Sequence, residues 1–537
     1  MKPELIGFVH FDRPGSKNNQ IEVLVAKEKA SFFLRNKLIK IVNSFGGDKH
    51  FIGRIVEGPF FQPEEVSRDS ALAQVSILHG EEFPAPPNFY ATFIIEVIGE
   101  LDGTRIISSG SRPSPQSKVL TLNDDELYSI LGLEEGDMVI GNLEGYPNIC
   151  IKFNSKKISV IPRNLGIFGT VGSGKTNTAQ VLIEELANQQ WAVLVLDIEG
   201  EYTMMNKPND NPHEIEKLKR FGLTPSGLKD FNVLKLCNQE STVETAEEVT
   251  IKIDQIDPYV LAEILNTTEP QTAALMAIID ILKRKNKDLK QELDEEENVL
   301  TPGKKTKSMY TLDNIIETID EHKSNPEKLG VRRGSLQPLR RKLISLRRSR
   351  AFDDPTAVSI RPDVLLKPGK VTVFDLSYTP DYEKNLLTAQ LLSRIFEAKK
   401  KDKTRSLPKT AIFIEEAHTF VSRENKDKMF ETIRMLKEIA RRGRKRWLAL
   451  CFISQQPSHL PNEIFELANT RIIHNIRSSK NLDVLRLSSG GVTEEMWNCV
   501  PTLDVGHAII NGPQFKNSLI AQIRFCKTKR VRQEDIE

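Results

Sequence analysis

The stretch Gly169-Thr170-Val171-Gly172-Ser173-Gly174-Lys175-Thr176 satisfies G-x-x-x-x-G-K-[ST] at every position, and it restricts the fold more than any other feature of the chain. In such a loop consecutive backbone N–H groups form a concavity for anions, and the helix that follows adds the positive end of its dipole. Lys175 is placed to reach the β- and γ-phosphates of a nucleotide, and the Thr176 hydroxyl to face Mg²⁺. The arrangement works only between a strand and a helix. Leu165–Phe168 supplies the apolar run before it, and Ala179, Val181, Leu182 and Leu186 give the segment after it a buried helical stripe. The chain is therefore expected to hold ATP and Mg²⁺ on an α/β fold.

A chain of 537 residues with 39% hydrophobic composition can bury several cores, and at roughly 150 residues per domain it holds two to four domains. Five scattered cysteines form no C-x-x-C pair, which argues against a disulfide framework or a zinc site. The first residues lack a basic patch followed by an apolar core, and no run reaches the length of a spanning helix, so a cytoplasmic protein without membrane contact is expected. A net charge of +2 on 75 basic and 73 acidic residues leaves nucleic-acid binding to be decided by local clusters.

Residues 1–155 read as short apolar runs separated by turns such as Pro14-Gly15-Ser16, Gly46-Gly47-Asp48, Pro84 to Pro87 and Asp102-Gly103, the spacing of a small β-barrel or sandwich. From residue 160 onward apolar strands alternate with helices, as in a parallel sheet. Residues 206–359 read as a mostly helical insertion: Leu275, Ile278, Ile279 and Leu282 mark one helix, Leu312, Ile315, Ile316 and Ile319 a second, Leu336, Leu339, Leu343 and Leu346 a third. Between the first two lies Lys283 to Lys307, a charge-dense segment expected to be solvated. The ATPase core then occupies 156–205 and 360–537.

Ala411–Ile414 is an apolar strand ending in Glu415-Glu416. Successive strand residues point in opposite directions, so the two acids can divide their work, Glu415 at the Mg²⁺ shell and Glu416 polarising the attacking water. Gln455, after the strand Leu448–Ile453, either orients water or belongs to a simple turn. Asp197 to Tyr202 ends the strand after the phosphate loop, and a turn with capping acids is an equal reading there. Met429, Ile433, Leu436 and Ala440 mark an amphipathic helix stopping at Gly443. Arg444, just beyond it, is either an arginine supplied to a neighbouring subunit's nucleotide or one of a solvated or DNA-binding cluster.

In this order the segments LGIFGTVGSGKTNT, DIEGEY, FIEEAHTF, EIARRGRK, FISQQPSHLP, ANTRIIHNIRS and LDVGHAIING resemble the HerA family, hexameric ATP-driven DNA translocases of the HerA/FtsK branch. The resemblance implies a RecA-like P-loop NTPase core with an N-terminal β-barrel and a helical insertion. It also implies nucleotide contacts along Gly169–Asn177 and at Arg163, Glu416 as catalytic base with Glu415 and Gln455 beside it, and Arg444 as the finger in trans. The family pattern SQ-R-P is changed at Gln456. Implied partners are a homohexamer, double-stranded DNA, and either a NurA-like nuclease or a nuclease or NAD-hydrolysing effector in phage defence. The other function consistent with these residues is an ATPase platform that controls a bound effector with little DNA movement.

Overall fold

The computed structural model describes residues 3–12, 19–45, 47, 49–63, 89–286, 308–330, 334–420, 430–462 and 466–531. The turns at 14–16 and 84–87, Gly46 and Asp48, most of the charged segment before Lys307, and Met429 lie outside them. The chain divides into two units. The first comprises Met1–Lys152 with Gly491–Cys499 and Gln514–Gln522; the second holds the rest.

Alternating burial builds the first unit. In QIEVLVA the buried residues are Ile21, Val23 and Val25, every second side chain, as a strand with one face inward requires. Strands β1 (Leu5–Val9), β2 (Gln20–Ala26), β3 (Leu38–Val42), β4 (His50–Pro63), β5 (Phe89–Asp102), β6 (Arg105–Ile107) and β7 (Lys118–Thr121) run in the order β2-β1-β7-β3-β4-β5-β6, and β5 pairs back to β2. Six strands thus close into an antiparallel barrel, which removes the unpaired edges an open sheet would leave. Its interior is filled by Ile6, Val23, Ile41, Phe51, Phe93 and Val119, with Phe33 stacked on Phe93 at 4.5 Å between centroids. Gly53 has no room for a side chain, since a Cβ there would lie 2.5 Å from Ile95 Cγ2. Arg54 and Glu96 form a buried ion pair at 3.5 Å. Burial still pushes the Glu96 carboxyl up to about 7 against the pull of Arg54. Strands β8 (Met138–Leu143) and β9 (Tyr146–Phe153) lie side by side beyond the helix Asp124–Leu131. That helix starts on an Asn123–Glu126 capping box and ends at left-handed Gly132.

The second unit is the parallel α/β layer. Among the described residues it contains β10 (Leu165–Phe168), β11 (Ala192–Asp197), β12 (Phe231–Leu236), β13 (Glu247–Thr250), β14 (Val358–Ser359), β15 (Val371–Asp375), β16 (Thr410–Ile414), β17 (Leu448–Ser454), β18 (Thr470–Ile473) and β19 (His507–Asn511). Their order is β14-β13-β12-β15-β11-β16-β17-β10-β18-β19. From β14 to β18 all pairs are parallel, and β19 returns antiparallel to β18. Every residue of β10, β11, β15, β16 and β17 is buried, the signature of strands covered on both faces.

Residues 206–359 are not helical alone. Three helices, Glu269–Lys285, Leu312–His322 and Leu336–Arg348, pack on one another through the leucine and isoleucine stripes read from the sequence, all buried. The same stretch also contributes β12, β13 and β14 to one side of the sheet. Those strands are short, and FNVLKL and EEVT carry little periodicity of their own; β15 fixes β12, which in turn carries β13 and β14.

Candidate nucleotide-binding site

The phosphate loop leaves β10 between β17 and β18 and opens into the helix Lys175–Asn188. Three of its positions need glycine. Gly172 and Gly174 hold φ of +72° and +109°, and a Cβ on Gly169 would meet Ser173 Oγ at 2.5 Å and His474 Cβ at 2.7 Å. Val171 stands 79% exposed at the tip. Lys175 is buried and donates to the Thr170 carbonyl at 3.0 Å, so its amine rests on the loop's own backbone. Burial lowers its pKa while Glu416, Glu201 and Glu415 hold it up, which places three carboxylates within electrostatic reach of one cation.

The acids divide as alternate strand positions dictate. Glu415, on the end of β16, is buried and accepts from the backbone amides of Ile198 at 3.2 Å and Glu199 at 3.4 Å. Burial, reinforced by Asp197 and Glu201, raises its pKa well above the ordinary carboxyl value. Asp197 spends both oxygens on the turn that follows it, accepting from Gly200, Glu201 and Tyr202 amides at 2.8, 3.1 and 2.9 Å; it is the capping acid of the two readings open in the sequence. Burial pushes it up to about 7. Glu416 sits at φ +40°, a left-handed backbone that costs a non-glycine residue about 1–3 kcal/mol and recurs where function fixes a side chain. Its carboxylate accepts from the Gln455 backbone amide at 3.1 Å and lies 3.1 Å from His418 Nδ1. Gln455 thus reaches the site through its main chain.

Two placements differ from the sequence reading. Thr176 Oγ1 donates to Glu201 at 2.6 Å, so the carboxylate nearest the Mg²⁺-facing hydroxyl comes from the turn after β11, not from Glu415. The Asn177 side chain is a tether within the chain, leaving to its backbone any nucleotide contact the motif implies. It is buried, donating to the Arg524 carbonyl at 2.8 Å and accepting from Cys526 N at 3.0 Å, and neither polar end of the side chain is left for a ligand. Among the described residues no cluster of three or more His, Cys, Asp or Glu could cage a metal. That suits Mg²⁺ on a P-loop, which takes a hydroxyl, one or two carboxylates, water and phosphate oxygens rather than a protein cage. Thr176 with Glu201 nearby fits that need.

Arg163 and Arg444 are not brought to this chain's own phosphate loop. Arg163 ends a short turn before β10, and Arg444 lies in the turn Gly443–Arg446 before β17; the two turns pack together. Both therefore occupy the amino edge of the parallel sheet, while the phosphate loop and Glu416 occupy the carboxyl edge. With seven residues in β17 at about 3.3 Å each, the edges are roughly 20 Å apart, beyond an arginine's length. The Arg444 guanidinium has no hydrogen bond or ion pair among the described residues.

A supporting layer was invisible in the sequence. Thr170 gives both its amide and its hydroxyl to the Asn475 carbonyl, at 2.9 and 3.0 Å, and Gly506 N donates to Ser173 O at 3.0 Å. His474 is buried under the loop, with Nδ1 at 3.0 Å from His507 O and Nε2 at 2.8 Å from Thr178 Oγ1. Burial lowers its pKa to about 3. The ring is thus neutral, Nδ1–H donating to the carbonyl and Nε2 accepting from the hydroxyl. Behind the helix, fully buried Arg524 joins Glu184 and Glu185 at 3.1 and 2.8 Å, and Thr528 satisfies the second Glu184 oxygen through N and Oγ1, both at 2.8 Å.

Comparison with known proteins points to one family. The model described as "Helicase HerA, central domain" matches residues 138–395. The DNA double-strand break repair helicase HerA of Pyrococcus furiosus is 23% identical over 487 residues, 84% of this chain and 80% of its own length. Its counterpart in Saccharolobus solfataricus is 26% identical over 411 residues, 76% and 72%. Over its central part and across most of its length the chain is similar to the HerA helicases. It is an ATP-hydrolysing enzyme of the P-loop class. Among solved structures, VirB4 of Thermoanaerobacter pseudethanolicus aligns with a TM-score of 0.48 at 16% identity, over 75% of this chain and 99% of that one. The plasmid coupling protein TrwB in complex with ADP and Mg²⁺ aligns with a TM-score of 0.44 at 11% identity, over 75% and 93%. Among the described residues no helix is long and apolar enough to cross a membrane.

Proposed function

We propose that this HerA-family ATPase is a double-stranded DNA translocase, a homohexameric ring that hydrolyses Mg²⁺-ATP between neighbouring subunits. It works with a nuclease of the NurA kind, or with a nuclease or NAD-hydrolysing effector, in DNA end processing or phage defence. The observation that carries the reading is the split of the site across the sheet. One edge holds the loop, the base and the acids; the arginines stand on the other edge, where only another subunit's nucleotide is within their reach. The relatives whose names specify double-strand break repair helicases supply the DNA substrate.

In this reading the Lys175 amine leaves the Thr170 carbonyl for the β- and γ-phosphate oxygens, and Thr176 with Glu201 beside it and Glu415 behind would hold Mg²⁺. Mg²⁺ supplies charge neutralisation on those oxygens. Glu416, held by Gln455 N and His418, takes the proton of the attacking water. Arg444 of the next subunit stabilises charge on the transferring phosphoryl group. Within the loop the Thr170 and Ser173 amides are spent on the Asn475 and Thr170 carbonyls, and the remaining loop amides face the phosphates.

The test is subunit mixing with duplex DNA present. Arg444→Ala and Glu416→Ala rings are each expected to be inactive. Mixed rings recover activity wherever an intact base faces an intact arginine. No recovery in rings shown to exchange subunits would end the trans assignment. ATPase activity indifferent to added duplex would instead favour a ring that serves as a platform for its effector.

A further inference from the structure

On the amino edge of the same sheet, a pocket of about 420 Å³ is lined by Lys399, Lys400, Lys403, Arg405, Lys409, Lys445 and Arg446, with Trp447, Leu407 and Asp402. Seven cations face one carboxylate, and that carboxylate is already used. Asp402 accepts from the amides of Ser406 and Leu407, both at 2.9 Å, and from the Ser406 hydroxyl at 3.1 Å. Burial works against its ionisation, but these donors outweigh it and hold its pKa below the usual carboxylate range. Asp402 is therefore the peg that shapes the loop 402–407, not a counter-ion for the pocket.

The cations differ in what holds them. Lys400 pairs with Glu397 at 3.3 Å, and Arg446 donates to the Arg442 carbonyl at 2.9 Å. The Lys409 amine lies 3.9 Å over the Trp447 ring and donates to the Ser155 carbonyl at 3.4 Å, which pins its head at the wall of the pocket. Lys399 is buried behind them, donating to the Pro408 carbonyl. Lys403, Arg405 and Lys445 are exposed and have no ion-pair partner among the described residues. Three unpaired cations, a pinned one and a buried one thus converge on one concavity without a free acid, a standing demand for concentrated negative charge.

We propose that this pocket is a second anion site that takes a short run of phosphates, separate from the phosphate loop on the opposite edge. The Trp447 ring is covered by Lys409, so recognition is by charge and not by base stacking. Its consequence is positional: Lys445 and Arg446 share the four-residue turn with Arg444, so an occupant clamps the turn that presents the trans arginine. The phosphates come either from free oligophosphate, including the tail of a nucleotide, or from a nucleic-acid backbone. The inference does not depend on the assignment of the hydrolysing site.

The experiment uses the full-length assembly carrying Lys175→Ala, which disables the phosphate loop, and titrates it with tripolyphosphate by calorimetry. Saturable binding is expected, weakened about tenfold or more by adding Lys403→Glu and Arg405→Glu and by about half that factor in the milder Lys403→Gln, Arg405→Gln pair, with affinity falling steeply between about 50 and 200 mM salt. Absent tripolyphosphate binding, or binding unchanged by the charge reversals at unaltered thermal unfolding, overturns the site. A second titration adds a labelled blunt duplex. If tripolyphosphate displaces the duplex and the same reversals weaken both, the natural phosphates belong to DNA. If the duplex is indifferent while tripolyphosphate binding obeys the reversals, they belong to a free oligophosphate.

Discussion

The two edges of the parallel sheet are built on opposite plans. At the carboxyl edge the polar groups around the phosphate loop find partners within the chain: Lys175 on Thr170, Thr176 on Glu201, Glu416 on Gln455 N, Asp197 on its own turn. At the amino edge Arg444, Lys403, Arg405 and Lys445 have no ion-pair partner among the described residues. A low-dielectric site gains from fixed, pre-bonded groups because no reorganisation is needed when charge develops. Cations left without acids gain only from something that arrives. The difference teaches that one edge prepares chemistry and the other prepares contacts, which is what the proposed sharing of a site between subunits requires.

Substitutions that break the comparison most severely should come first. Arg444→Ala is expected to lower kcat by about a thousandfold, the lower end for a trans arginine, while nucleotide affinity measured with a fluorescent ATP analogue changes little. A loss of binding with no loss of turnover would put Arg444 in a purely structural role. Glu416→Gln should lower kcat by about a hundredfold or more, the range for a general base, with ATP binding retained; Lys175→Ala removes binding as well. Equal turnover in either variant would remove the carboxyl edge as the reaction centre. Glu201→Gln sharpens the picture further. It should weaken Mg²⁺ dependence of nucleotide binding by about tenfold, as expected for a group that orients a metal ligand, read as a shift in the Mg²⁺ midpoint with a non-hydrolysable analogue.

What the sequence made readable follows from distance along the chain. The phosphate loop and the β16 acids are local, so spacing alone places them. The contacts that tune the loop are not local: His474 to Thr178, Gly506 to Ser173 and Arg524 to Glu184 each join residues far apart in sequence, and no periodicity announces them. The tethering of the Asn177 side chain is hidden for the same reason. Motif position puts it beside the phosphates, and the bonds of its side chain go to Arg524 and Cys526, 347 and 349 residues further along the chain. The strands β12 and β13 were overlooked inside a helical stretch because β12 is held by β15 and β13 by β14, partners over a hundred residues away. Arg163 and Arg444 were legible as residues, yet only the sheet's direction reveals that they share an edge.

The smallest effects lie in the pH dependence of stability, and the two edges separate there into different windows. His474, under the phosphate loop, is neutral in the folded protein with its pKa pushed down to about 3 by burial, against about 6.5 in an unfolded chain. Between those values the unfolded state binds the extra proton, so the stability His474 contributes is present above about 6.5 and lost as pH falls toward 3. Lys399, at the other edge, is pushed down to about 8 by burial, with Asp402 opposing, against about 10.4 unfolded. Its contribution grows as pH rises from about 8 to 10.4 and is lost on the way back down. His474→Asn should flatten the acid limb of urea midpoints measured across about pH 6.5 to 4.5 and leave the alkaline limb alone; Lys399→Met should do the reverse. The basic pocket adds a condition to the second limb. An anion seated there favours the charged amine, so saturating tripolyphosphate should shrink the alkaline rise in the parent protein and have no such effect in Lys399→Met. An alkaline limb that ignores tripolyphosphate while the anion is demonstrably bound would place Lys399 outside the pocket's field and reduce the amino edge to its exposed cations.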